Sequence, residues 1–187
     1  PMRRFGSATA QDDLTLAFLT EARCKKSVTM DLRQEKGRDL FLQLVEKSDV
    51  LIENFRPGMM EKWGLSWDVL RERNPGLVFL RVSGYGQTGP YRERSGFAHI
   101  AHAFGGLSYH AGFPNQSPVV PGTVPLGDYM SSLYGAIGIL IALRHRDKTG
   151  RGQVIDVAIF ESVFRTLEEI AGAYGLFGTV REREGAG

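Results

Sequence analysis

An aspartate at the head of a long apolar stretch can serve as a nucleophile, and Asp128 is such a residue. It follows Val124-Pro125-Leu126-Gly127, and no other acid lies between Glu93 and Asp128, so it stands alone in its part of the chain. At a helix start, free backbone N–H groups and the helix dipole favour an ionised carboxylate, and a flanking glycine leaves space for a substrate. The same position suits an N-cap aspartate, worth about 1 kcal/mol. On the residues alone the cap is the favoured reading.

Two further patterns could carry chemistry. Gly84-Tyr85-Gly86-Gln87-Thr88-Gly89 has the G-x-G-x-x-G spacing of a dinucleotide site and follows a predicted strand. The context then fails, because Pro90 and residues 92–96 open no helix and no acid follows before Asp128 to hold a ribose hydroxyl. The motif reads instead as a glycine-rich turn whose backbone can approach a ligand. His99 and His102 stand at i, i+3 on a predicted helix, a spacing that can share a metal, but the stretch offers no third ligand. They read as partly buried or surface histidines, and no metal site is expected. Serine-hydrolase, P-loop and zinc-protease motifs are missing from the sequence.

These residues need elements to hold them. Residues 27–32 predict a strand, 35–47 a helix, 49–53 and 77–83 two more strands, with helices over 59–63 and 67–73 between them. Strands separated by helices predict an α/β fold, a Rossmann-like parallel sheet with flanking helices. Beyond Gly84 the chain is rich in glycine, proline and aromatic residues to about Leu126, with one helical stretch over 99–104. Over 127–146, Leu133, Ile137, Leu140 and Ile141 fall on one face and predict a buried helix, which Gly135 and Gly138 let another element approach. A turn over 148–152, a strand over 154–158 and a last helix over 161–176 complete the prediction.

Composition sets the outer bounds. With 187 residues, 42% hydrophobic and 24% charged, the chain can bury a core and is too apolar for disorder. Its lone cysteine, Cys24, cannot form an internal disulfide, which fits a reducing, cytoplasmic setting, or a mitochondrial matrix in a eukaryote. A net charge of +2 does not call for nucleic acid, although basic residues gather at Arg23, Lys25 and Lys26 and again over 144–151. No apolar leader follows Pro1–Gly6. The apolar run 133–143 is about half the roughly 20 residues of a bilayer span, so no membrane helix is expected.

Taken in order, four motifs resemble the class III (formyl-CoA transferase or CaiB/BaiF) CoA-transferases. They are Asp49 to Gly58 (DVLIENFRPG), Ser83 to Gly86 with Gly89-Pro90, Gly127 to Met130 (GDYM), and Lys148 to Gln153 (KTGRGQ). The resemblance implies that Asp128 attacks an acyl-CoA thioester and that CoA is carried as an aspartyl-CoA thioester before it passes to an acceptor acid. It implies a CoA site from Asn54, Phe55, Arg56, Met59 and Lys62, with Arg33 near the phosphates, and a pocket beside Gly84, Tyr85 and Gly86. Coenzyme A or acyl-CoA is then a substrate, no cofactor is held permanently, and the expected assembly is an interlocked homodimer. By analogy with relatives, the substrates would be succinyl-CoA and a dicarboxylic acid such as malate. Family members run to about twice this length, so residues 1–187 are expected to be part of the large, CoA-binding domain, without the first strand–helix unit and the small domain.

Departures from the pattern shape the alternatives. The related racemases carry His-Asp where this chain has Phe97-Ala98, which disfavours racemase chemistry. Transferases often have aspartate at Ala98 and glutamine at His102. A non-catalytic CoA-binding or assembly module is the other reading.

Overall fold

A computed structural model of the chain describes residues 2–11, 14–122 and 124–185. Two compact units divide it between Asp31 and Leu32. In the first, residues 2–4 form one 3-10 turn, and α1, Leu16–Ala22, starts where the Thr15 hydroxyl accepts a hydrogen bond from the Phe18 N–H at 3.2 Å. The sequence prediction did not include this seven-residue helix, none of whose residues is buried and whose Leu16 and Leu19 are exposed.

The second unit holds α2 (Glu35–Val45), β1 (Val50–Glu53), α3 (Met59–Lys62), α4 (Trp67–Arg73), β2 (Val78–Ser83), α5 (Ala98–Phe104), α6 (Leu107–His110), α7 (Leu126–Thr149), β3 (Val154–Ala158), α8 (Ile159–Phe164) and α9 (Ile170–Phe177). The strands form a parallel sheet in the order β1-β2-β3. This is the α/β arrangement predicted. The central strand β2 is buried along almost its whole length and apolar apart from Arg81 and Ser83, as suits a parallel strand covered on both faces. One core cluster joins Val45, Met60, Leu65, Leu70, Leu77 and Phe79 under α2 and α4; a second, Ala101, Ile159 and Val163, lies between α5 and α8. Asn74 ties the first cluster's turns together, its side-chain amide donating to the carbonyls of Val45 and Ser48 at 2.9 and 2.8 Å.

Three predicted features differ. Residues 27–32 are not a strand: among the described residues no ladder partner pairs with them, and an extended segment without a partner has nothing to hold it as one. The last helix is broken: Arg165–Leu167 tightens to a 3-10 turn and Glu168 adopts a φ of 56°, so α8 and α9 are separate. Polar Arg165-Thr166 and Glu168-Glu169 interrupt the apolar stripe that a continuous helix would need.

The third concerns α7. Its buried residues are Gly127, Ser131, Gly135 and Ala142, while Leu133, Ile137, Leu140 and Ile141 are 67, 54, 67 and 63% exposed. Small residues face inward because the helix lies close on the sheet. A Cβ on Gly135 would stand 2.8 Å from a Leu80 methyl, and one on Gly138 3.2 Å from Ile155. By length and composition this helix could cross a membrane, which the short apolar run did not suggest; one side of it is nonetheless packed on β2 and β3.

Candidate active site

The carboxyl ends of the three strands deliver the loops that matter, as is usual where a parallel sheet binds a ligand. β1 leads into residues 54–58, β2 into residues 84–96, and β3 directly into α8. Between these loops and the start of α7 lies a cleft of about 460 Å³, lined by Asn54, Phe55, Arg56, Gly84 and Asp128 among the predicted residues. Residues apart by more than seventy positions in sequence thus meet at one place.

One row of charges across the sheet fastens two of the loops. Glu53, Arg81 and Asp156 are register neighbours on β1, β2 and β3. Arg81 donates to Glu53 at 2.8 Å and to both carboxylate oxygens of Glu61 on α3, at 2.6 and 3.2 Å. Glu53 in turn accepts the Phe55 N–H at 2.6 Å, and Asp156 accepts the Gln87 N–H at 2.8 Å. Each outer carboxylate therefore captures a loop backbone just beyond a strand end. Burial works to raise the Glu61 carboxyl, but the hydrogen bonds from Arg81 and its own backbone outweigh it and hold the group below its ordinary value. Burial likewise opposes the charge on Arg81, and its two carboxylate partners more than restore it.

Within the cleft, Asn54 is set by its amide, which donates to the Val82 carbonyl at 2.7 Å. Arg56 donates to the Ser95 hydroxyl at 2.5 Å, linking the two loops over the opening. Phe55 meets Trp63 edge to face at 5.0 Å. The segment from Gly84 to Gly96 leaves and returns at a single point: a Cβ on Gly84 would stand 2.7 Å from the Gly96 Cα, so glycine is required there. Inside it, Tyr85 packs with Tyr91, Phe104 and Phe160.

Asp128 is the third residue of α7 rather than its cap. Pro125 occupies the cap position and makes no side-chain cap bond. The capping role that the residues alone favoured is therefore not what Asp128 does. Among the described residues its carboxylate accepts no hydrogen bond. It opens to solvent at the cleft, yet enough protein surrounds it that burial raises its carboxyl above the ordinary value, an effect that His102 and His99 oppose only when protonated. The easy ionisation expected of a helix start is thus opposed by crowding. Ser131 and Ser132, one turn on, line the same cleft and donate to the Asp128 carbonyl at 3.0 and 2.7 Å.

Other predicted residues lie outside the cleft lining. Arg33 sits in the turn before α2, and Met59 and Lys62 are on α3 beyond Pro57. Tyr85 belongs to the aromatic cluster, and Gly86 abuts the Asp156 carboxylate. Conversely Arg94, Ser95, Phe97 and Ile159 line the cleft without having been singled out for it. Arg94 and Ser95 were foreshadowed only by following the glycine-rich turn; Ser131 and Ser132 could have been found at i+3 and i+4 from Asp128. The two histidines part company, since His99 is exposed while His102 is fully buried and accepts the Gly127 N–H at its Nε2, 2.8 Å away.

The family model for CoA-transferase family III matches residues 1–187, and the chain belongs to that family. It is 75% identical over 187 residues to a protein named succinyl-CoA–L-malate CoA-transferase alpha subunit from Chloroflexus aurantiacus, covering all of this chain and 44% of that one. A beta subunit of the same name and organism is 59% identical over 185 residues, covering 99% of this chain and 45% of its own length. Among solved structures, a CAIB/BAIF family protein from Brucella suis aligns with a TM-score of 0.80 at 39% identity, over 85% of this chain and 42% of that one. The chain therefore spans less than half the length of the relatives it matches.

Proposed function

We propose that the complete protein containing this chain is a CoA-transferase that moves CoA from succinyl-CoA to L-malate, with Asp128 as the nucleophile. The observation that carries this is the single cleft in which Asp128 faces the Asn54–Arg56 loop and Gly84. The named relatives, one 75% identical, support the substrates.

The carboxylate of Asp128 attacks the succinyl-CoA carbonyl, forming a mixed anhydride and releasing CoA thiolate. The thiolate attacks the Asp128 carbonyl carbon, succinate leaves, and an aspartyl-CoA thioester remains. Malate carboxylate attacks that thioester, giving a second anhydride and free thiolate. Attack of the thiolate on the malyl carbonyl yields malyl-CoA and regenerates Asp128. No water and no redox partner enters, and the first step needs Asp128 ionised. Asn54, Phe55 and Arg56 supply polar, aromatic and cationic contacts for CoA, and Arg33, Met59 and Lys62 extend that role away from the cleft. CoA is a substrate here rather than a resident cofactor, and the reaction belongs in the cytoplasm. The assembly is a dimer of homologous chains. The relatives' names alpha and beta subunit support a mixed pair in place of the homodimer first expected.

Racemase chemistry would need a base where Phe97 and Ala98 stand, and a binding module would not need Asp128. The test is peptide mass spectrometry of the complete enzyme after incubation with succinyl-CoA and trapping with hydroxylamine. Modification of the Asp128 peptide, with no turnover in Asp128→Ala, is expected. Normal turnover by Asp128→Ala would end the proposal.

A further inference from the structure

We propose that His102 is a positioning residue for Asp128: as a neutral imidazole it holds the buried Gly127 N–H, so that transfer requires His102 to be unprotonated. The inference rests on Asp128 being the nucleophile.

The geometry leaves little choice of protonation state. The first N–H groups of a helix have no partner within it, and one that is buried needs an acceptor. Gly127 is buried, and its N–H points to His102 Nε2 at 2.8 Å. A ring nitrogen accepts only when it bears no proton, so the neutral ring carries its hydrogen on Nδ1. That Nδ1 is buried with no partner among the described residues, and His102 as a whole is 0% exposed. A second proton would take away the acceptor and leave two N–H groups facing each other.

The contact sits one residue before the nucleophile. Gly127 is wedged between Ile159 and Ala98, where a Cβ would stand 2.9 and 3.4 Å from them. The start of α7 is thus fixed from one side by packing and from the other by His102. Two ionisable groups act on the imidazole: His99 on its own helix, ring to ring at 5.5 Å, and Asp128 on α7. α8 packs Ile159 and Val163 against Ala101 of α5, the one charged residue of α8, Glu161, is exposed at another cleft, and His110 of α6 lines a different cleft again. Burial is the largest influence and lowers the pKa of His102, His99 lowers it further, and Asp128 works the other way. As the pH falls through that depressed value, the acceptor is lost and the site loosens.

The experiment uses the complete enzyme and compares His102→Gln, whose amide oxygen can accept the same N–H but does not titrate, with His102→Leu, which cannot accept it. His102→Gln should keep most of kcat at pH 8, and its acid limb should follow one proton, that of Asp128, where the wild type approaches two. His102→Leu should lose on the order of 100-fold in kcat, the scale of a small misplacement of a reacting group, with the KM for acyl-CoA unchanged. Superimposable acid limbs for wild type and His102→Gln, or full kcat in His102→Leu, would overturn the proposal. Should His102→Leu fail to fold, the limb of His102→Gln still decides it, as does the nitrogen NMR spectrum of the wild-type ring at pH 8. The Nδ1-protonated tautomer is expected there, and a proton on Nε2 refutes the contact. Asp128→Asn run in parallel separates the two ideas: turnover in that variant would remove the nucleophile, whereas a dead Asp128→Asn with an indifferent His102 would remove only this inference.

Discussion

Replacing Arg81 by methionine should be among the most damaging single changes to the fold, and the structure indicates how much. The Arg81 side chain is 9% exposed and that of Glu53 2%, so Arg81→Met strands a carboxylate in a place water cannot reach. Breaking such a pair from one side costs about 3–5 kcal/mol. Losing the Glu61 partner adds little, because that side chain is 41% exposed and pairs of this kind contribute about 0–1 kcal/mol. Adding Glu53→Gln removes the stranded charge while its amide oxygen can still accept the Phe55 N–H. The double variant should then retain a deficit of only about 1–3 kcal/mol from lost hydrogen bonds. Urea unfolding of the complete protein at pH 7, with the slope held common, reads both numbers. A loss below about 1 kcal/mol in Arg81→Met, or a double variant no more stable than the single one, would refute the argument that the charge, and not the packing, sets the cost. Because Glu53 also fastens the loop bearing Phe55 and Arg56, the surviving Arg81→Met enzyme should show a raised KM for acyl-CoA.

Three further outcomes follow from the same geometry. Asp128→Asn should raise the melting temperature at pH 7 while abolishing transfer: with the folded carboxyl raised, its stabilising contribution is complete below the unfolded value and is lost as pH rises through the folded one, so the gain should vanish near pH 3. Glu61 runs the opposite way, since its folded value is lowered. Its contribution is present above the ordinary value of 4.5 and disappears as the pH falls through the folded one, so Glu61→Gln should flatten acid unfolding in that range, as followed by circular dichroism. Gly127→Ala should cost about 1–3 kcal/mol by overpacking against Ile159 and Ala98, and should lower kcat with little change in the KM for acyl-CoA.

How far the sequence could be read depended on whether a signal was local. β2 was legible because a parallel strand buried on both faces is written as a compact run of large apolar residues, here broken only by Arg81, and α4 because Ser66 caps it and Leu70 gives it an inward face. Asp128 stood out through the absence of other acids around it, although its proposed role came from the family resemblance and not from its position. The inward face of α7 was misread because large apolar residues were assumed to point inward, whereas a helix laid close on a sheet selects glycine, serine and alanine for the contact. His102 was illegible for a different reason. Its partner, the N–H of Gly127, lies 25 residues away in sequence, and no periodicity encodes a bond between a side chain and a distant backbone group. The break at Glu168 shows the same limit: propensity predicted one helix where a single residue at φ 56° makes two.

The meeting of Gly84 and Gly96 has an evolutionary side. A loop closed at its base by two glycines can vary at its tip while its ends stay fixed, and here the Gln87–Asp156 and Arg56–Ser95 hydrogen bonds and the Tyr85 cluster fasten it further. Arg94 and Ser95, on this loop, and Asp128, on α7, line the same cleft. Variation that keeps these fastenings can therefore change the side chains presented at the cleft while Gly84 and Gly96 hold the ends of the loop in place.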